Sequence, residues 1–425
     1  MFSSKLQKCL KGWIKSGGDL GARLYEGGTM TVATARDANV ICHTLKHVIS
    51  SLPSESETKQ MVSTPLQVVT GLFQDVQSEA AYLTLSHKGL PLLHFMVQDG
   101  LHGDHYVPDE DMLFILKVMA AYQYAPAVRH TVYALRKRIA PHHYLWPVII
   151  AHYAETGHPN ALALIEEMRE PLPSGSPGVA LLRLANVLAD RGELPDHPFA
   201  SDEGRQLLKR WITDTDPFQW HDASEATIAL AFLNPSARDT LLSLNKRHPD
   251  PRVRLDGIGI TSIDQPDLAM KPLLDHAKDP RYSKRACRHL RRLGQAAAIP
   301  DTVKDPGFQA LVRLSRTLEA MERFASPPDL LQVIHAQECH WPPLHGPSAC
   351  WLCRFIYRGS SPNRKIKGMA LVTTSATVYL DEPINHLDQD DLYAFFCAYE
   401  SDSDTSDSVS ALIARGRELL KIPSL

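Results

Sequence analysis

The stretch "HPDPRVRLDGIGITSIDQPDLAMKPLLDHAKDPRYSKRACRHLRRLGQ", His248–Gln295, contains Asp-Pro-Arg twice, at Asp250 and at Asp279, each time ahead of an amphipathic run. An Asp at such a point accepts hydrogen bonds from the unpaired amides that open a helix. Pro directly after it fixes the entry dihedral and has no N–H to leave unpaired. Two more Asp-Pro pairs, at Asp216 and Asp305, bring the spacings to 34, 29 and 26 residues. That is about the length of two helices and two turns. The stretch "ASEATIALAFLNPSARDTLLSLNKRHPDP" reads in near register with "VRLDGIGITSIDQPDLAMKPLLDHAKDP". Each runs helix, turn with Pro, helix, turn with Asp-Pro. One such hairpin cannot hide its apolar side alone, whereas stacked hairpins share a continuous core.

Working outward, helical periodicity holds from about Asp109 to about Arg323. The runs include "EDMLFILKVMAAYQY", "PAVRHTVYALRKRI", "YLWPVIIAHYAE", "PNALALIEEMRE", "SPGVALLRLANVLADRG", "SDEGRQLLKRWITD", "ASEATIALAFL" and "PSARDTLLSLNKR". Short links with Pro126, Pro159, Pro235 and Pro266 precede four of the apolar runs, where Pro suits the first turn. The expected fold class is mainly α: a solenoid of stacked antiparallel helix pairs with a small C-terminal α+β module. "DPRVRLDGIGI" and "DPRYSKRACRHLRRLG" resemble the repeat opening of HEAT-like proteins of the short, phycobilisome-lyase type. The resemblance is good over residues 216–295 and degenerate from about 109 to 215. It implies an armadillo-type array that binds a partner on its concave surface, lined in such arrays by second helices. It departs from the pattern at Gly257 and Gly259, which predicts a short or bent helix there.

Size and composition bound the rest. The chain has 425 residues, 44% hydrophobic and 22% charged, with a formal net charge of −3. This is ordinary for a globular protein and gives no whole-protein pull toward nucleic acid or membrane. Seven scattered Cys, an odd number, argue for reduced thiols and a cytoplasmic location. No apolar run nears the length of a transmembrane helix. At the N-terminus, Phe2, Leu6, Leu10, Trp13 and Ile14 recur at helical spacing beside Lys5, Lys8, Lys11 and Lys15. Two readings stand: a docked terminal helix, or a membrane-surface or targeting helix.

Four segments are expected. Residues 1–108 form a helical capping region and 109–325 the repeat array. Residues 326–400 form the α+β module, from the β-rich "ACWLCRFIYRG" and "GMALVTTSATVYLD" and the helical "DQDDLYAFFCAYE". Residues 401–425 hold the acidic, Ser-rich "SDSDTSDS", a possible phosphorylation substrate, and a closing helix.

Four constellations can carry chemistry. Arg281, Arg285, Arg288 and Arg292 fall at i, i+4, i+7 and i+11, one face of a helix flanked by Lys284 and Arg291. Such a stripe meets phosphates or an acidic partner, or is a solvated face balanced by neighbouring acids. Cys339, His345 (or His340), Cys350 and Cys353 in "CHWPPLHGPSACWLC" can supply four ligands to zinc. If "ACWLCRFIYR" is a strand, Cys350 and Cys353 point to opposite faces instead. Asp99, His102, Asp104 and His105 lie within seven residues, as a divalent-ion site or an ordinary polar loop. Trp211, Trp220 and Asp222 offer the residue types of the HEAT-like glycosylases that excise alkylated bases, without clearly matching their spacing. Gly-x-Gly-x-x-Gly, Gly-Lys-Ser/Thr, Gly-x-Ser-x-Gly and His-Glu-x-x-His do not occur. The leading expectation is a non-enzymatic scaffold with a protein partner. The alternative is a nucleic-acid-binding protein, and a cofactor-associated lyase follows only from the resemblance. Oligomeric state is not written in these residues.

Overall fold

The structure, a computed structural model, describes residues 5–26, 31–50, 65–103, 106–214, 216–320, 327–358, 365–380, 387–401 and 407–422. The described chain is mainly helical, with one four-stranded antiparallel sheet near the C-terminus. It divides into two compact units. The first is Met1–Leu208 with Phe232–Asn234, and the second is Lys209–Ala231 with Pro235–Leu425. The stretch 109–325, read from sequence as one array, runs across this division. No helix among the described residues is long and apolar enough to cross a membrane.

In the first unit the N-terminal helix Lys5–Ser16 buries Leu6, Leu10 and Trp13 and packs on helix Ala35–Ile49. The apolar stripe seen in the sequence is therefore occupied by the protein's own core; Phe2 lies outside the described residues. Thr34 and Asp37 open the second of these helices with a reciprocal capping box. The helical capping region is interrupted after Gly71. Helix Pro65–Gly71 ends, and Ser78 caps a new start at Glu79–Thr84 by accepting from the Ala81 amide. The runs expected after Asp109 are helices at Asp109–Ala121, Ala127–Lys137, Leu145–His152, Ala161–Met168 and Gly175–Asp190.

The second unit holds helices Trp220–Ala229, Pro235–Asn245, Pro251–Thr261, Pro266–Ala277 and Ser283–Arg292. Helix Trp220–Ala229 packs on Pro251–Thr261, which packs in turn on Pro266–Ala277 and on Ser283–Arg292. Tyr282, Ala286 and Leu290, at helical spacing in the sequence, are buried with Leu255, Leu273 and Ala277, and Leu293 is partly buried beside them. All four Asp-Pro carboxylates accept a backbone N–H just downstream: Asp216 from Phe218, Asp250 from Arg252, Asp279 from Arg281 and Asp305 from Phe308.

The helix carrying Gly257 and Gly259, expected to be short or bent, runs without interruption over the 11 residues Pro251–Thr261. The glycines clear space for two buried polar side chains. A methyl group at Gly257 would overlap the Asn245 amide, and one at Gly259 would overlap the His289 ring. Asn245 then reaches the Thr227 hydroxyl at 3.0 Å and the Val253 carbonyl at 2.8 Å, so close approach and polar satisfaction come together.

The sheet has strands β1 (Leu330–Trp341), β2 (Gly346–Arg358), β3 (Lys365–Thr373) and β4 (Thr377–Leu380), in that spatial order. Two apolar layers cover it. Helix Pro306–Glu319 sets Ala310, Leu314 and Leu318 against Cys353, Phe355, Tyr357, Ala370 and Val372. Helices Gln389–Ser401 and Val409–Leu420 cover the opposite face, over Trp341, Cys350, Leu352, Met369 and Leu371. Helix Pro306–Glu319, placed with the repeat array from its periodicity, thus has its apolar side on the sheet. Strand β1 was not expected at all. Its pairing with β2 slips between Val333 and His335, leaving Ile334 as an extra residue that is 40% exposed.

Candidate functional site

The arginine stripe resolves into two chemically different halves. Arg281 precedes the helix and folds back on Asp279, with Nε 3.0 and 3.1 Å from the two carboxylate oxygens and Nη2 2.6 Å from one of them. Arg252 does the same to Asp250, its Nε lying 3.1 and 2.8 Å from the two oxygens. The repeated Asp-Pro-Arg is therefore a local clamp in which one carboxylate accepts from the amide and holds the guanidinium of the arginine two residues on; at Asp250 it also caps the helix, whereas Asp279 sits in the turn before Ser283–Arg292. Such fork-to-carboxylate pairing fixes geometry as well as charge.

Arg285 points inward. Its guanidinium pairs with Asp256, a fully buried carboxylate that also accepts from the Ser224 hydroxyl at 2.6 Å and lies 3.2 Å from His289 Nε2. Burial works to raise the Asp256 carboxyl. Arg285, then His289 and Ser224, more than offset it and hold the group below the ordinary carboxylate range. This quartet ties three helices of the second unit together and leaves Arg285 little charge to offer a ligand.

Lys284, Arg288, Arg291 and Arg292 are exposed on the same helix. Lys284, Arg288 and Arg291 make no ion pair among the described residues. The helix stands in the row that follows the Asp-Pro links, beside Pro251–Thr261 and, through it, Trp220–Ala229. Two cations that the sequence reading passed over join it. Arg313 and Arg316 on Pro306–Glu319 face Lys284 and Arg291 across a cleft of about 300 Å³. The i, i+3 spacing of this pair was the available signal. It went unremarked because the stripe was sought on one helix only.

The proposed zinc ligands do not converge. Cys350 belongs to the sheet face under Gln389–Ser401, and Cys353 to the face under Pro306–Glu319. The reason is the two-residue side-chain period of a strand. Cys339 does approach Cys350, with sulfurs 3.7 Å apart, and both thiols are pushed up by burial. Burial pushes the Cys353 thiol up to about 12. His345 sits in the β1–β2 connection with left-handed backbone, φ 52°. Among the described residues no group of three or more His, Cys, Asp or Glu is placed to hold a metal ion. His102 packs edge-on against Tyr133 at 4.4 Å; its sequence neighbours Asp104 and His105 lie outside the described residues.

The excision-pocket residues are dispersed in character. Trp211 is buried, 7% exposed, and offers no open face for a base to stack on. Trp220 rests edge-on against His248 at 5.9 Å. The Asp222 carboxyl is pushed up to about 6 by burial, then by Asp214 and Glu225.

Fold and site together define a mainly helical protein whose second unit carries an exposed row of cations bordering a basic cleft. No family model matches the chain, and no solved structure matches it. A cytidylate kinase of Acidiphilium cryptum (strain JF-5) is 29% identical over 141 residues, 33% of this chain and 61% of that protein. The matched stretch thus spans under two thirds of the length of that curated relative.

Proposed function

We propose that this protein is a non-enzymatic helical-repeat scaffold that binds an acidic protein partner through the cationic face of Ser283–Arg292. The observation that carries the reading is the division of labour among the cations. Arg252, Arg281 and Arg285 are each consumed by an internal carboxylate and Arg288 feels those of Asp256 and Glu225, while Lys284, Arg291 and Arg316 make no ion pair among the described residues. Like charges gathered without counter-ions work against folding, so their retention in one place points to an external anion. The alternating contacts of the hairpins around Pro251–Thr261 support a serial stack, a rigid frame for such a face.

A nucleic-acid reading draws on the same cations but loses Trp211, which is buried, as a stacking face. The likeness to a cytidylate kinase does not reach this proposal. The Gly-Lys-Ser/Thr phosphate loop is not in the sequence, and the described strands pair antiparallel.

The test is affinity capture with the full chain and with Arg288→Glu/Arg291→Glu, followed by identification of what is bound and a salt titration. An acidic protein retained by the parent, lost at high salt and lost on charge reversal is the expected result. Retention of duplex DNA in its place, equally sensitive to the reversal, would overturn the reading.

A further inference from the structure

The cleft between Ser283–Arg292 and Pro306–Glu319 is walled by Lys284, Arg291, Arg313 and Arg316, with Ser283 and Gln309 among its polar groups and no carboxylate in its lining. Four cations on one small hollow repel one another. The Lys284 ammonium is held below its ordinary range by desolvation, then by Arg316 and Arg288. Among the described residues Arg313 is tethered, its guanidinium donating to the Thr373 carbonyl at the end of β3, which steadies it at the cleft wall. Lys284, Arg291 and Arg316 have no partner among the described residues.

We propose that this cleft binds the phosphoryl group of a phosphorylated side chain on the acidic partner; the inference rests on the reading of this face given above. Guanidinium forks match phosphate oxygens in pairs, and a lysine adds a point charge. A phosphorylated serine brings close to two negative charges and three acceptor oxygens, against one charge for a carboxylate. The size also decides. Small-ligand sites run from about 300 to 1,000 Å³, so this cleft lies at the bottom of the range and fits one anionic group. A nucleic-acid duplex spreads its charge at about 1.7 Å intervals and needs a long open stripe. Here that stripe is interrupted where Arg281 and Arg285 are paired internally.

The test measures fluorescence anisotropy of the full chain with three probes: an acidic peptide bearing one phosphoserine, its unphosphorylated twin, and a duplex DNA of similar charge. The phosphopeptide is expected to bind at least tenfold tighter than the twin, and inorganic phosphate to compete for that increment. Lys284→Gln/Arg316→Gln removes the increment. Arg288→Gln, outside the cleft lining, weakens both peptides alike. The replaced side chains are exposed, so circular dichroism should match the parent. Should the double variant not fold, Arg316→Lys, which keeps the charge and loses the fork, is expected to lower the preference severalfold. Equal binding of the two peptides overturns the phosphoryl inference and leaves the scaffold reading standing. Failure of both peptides to bind at low salt, or tightest binding by the duplex, overturns that reading and the inference with it.

Discussion

At the scale of single residues, the repeated Asp-Pro-Arg turns out to be a complete unit. Asp250 and Asp279 each accept from the amide two residues on and from the arginine that carries it. The capping half of this was legible, because Asp before Pro has a known job at a helix start. The arginine half was not. Spacing alone put Arg281 on a solvent stripe with Arg285, and only the fold shows that both are internally paired. Gly257 and Gly259 were legible as departures from pattern. Their reason lay in Asn245 and His289, which are distant in sequence or on another helix.

His197 gives the residue-scale prediction. It is buried against Phe232, bonded to Asn186, and pushed by burial down to about 4 from an ordinary value near 6.5. Between those values the unfolded chain takes up a proton that the folded chain refuses. Stability must therefore fall as pH drops from about 6.5 toward 4, at up to about 1.4 kcal/mol per pH unit for this one proton. His130, also lowered to about 4, acts in the same direction. Urea denaturation at pH 7, 6 and 5 reads the slope, and His197→Asn should flatten it by roughly one proton. An unchanged slope in the variant would remove His197 from the account.

At the scale of elements, the instructive case is β1. Residues Leu331 and Val333 pack toward Pro306–Glu319, whereas Cys339 packs toward Gln389–Ser401, although all three are odd-numbered. The extra residue Ile334 shifts the phase, so odd-numbered side chains change faces across it. The sequence places Cys339, near the strand's end, in a zinc-binding loop, whereas the structure pairs it with Ser348 in the ladder. Deleting Ile334 should convert the bulge to a regular ladder and keep every other side chain on its present face. Deleting Ala336, two residues further on, should put part of the strand on the wrong face. Thermal melts followed by circular dichroism are expected to show a small change for the first and loss of cooperative folding for the second. Equal damage from both would mean that the bulge itself is required.

At the scale of the whole molecule, helix content and the C-terminal change to strands were legible from periodicity and β-branched composition. The partition was not. Periodicity sees an apolar stripe but not what it faces, so Pro306–Glu319 was grouped with its sequence neighbours rather than with the sheet it covers. The cleft was hidden for the same reason, since its two cation-bearing walls lie on helices that spacing analysis treats separately. A fragment beginning at residue 326 would leave Phe355, Tyr357 and Val372 uncovered. It is expected to aggregate, while one beginning near residue 300 stays monomeric by light scattering. Monomeric behaviour of the shorter piece would show that the helix is dispensable.

The Asp-Pro-Arg clamps at Asp250 and Asp279 are self-contained. Acid, imino ring and counter-ion lie within three consecutive codons. A tandem copying event that captured one hairpin would carry its own initiation signal, already neutralised, into the new location. Lengthening such a chain needs no compensating charge elsewhere, only a neighbour with a matching oily side.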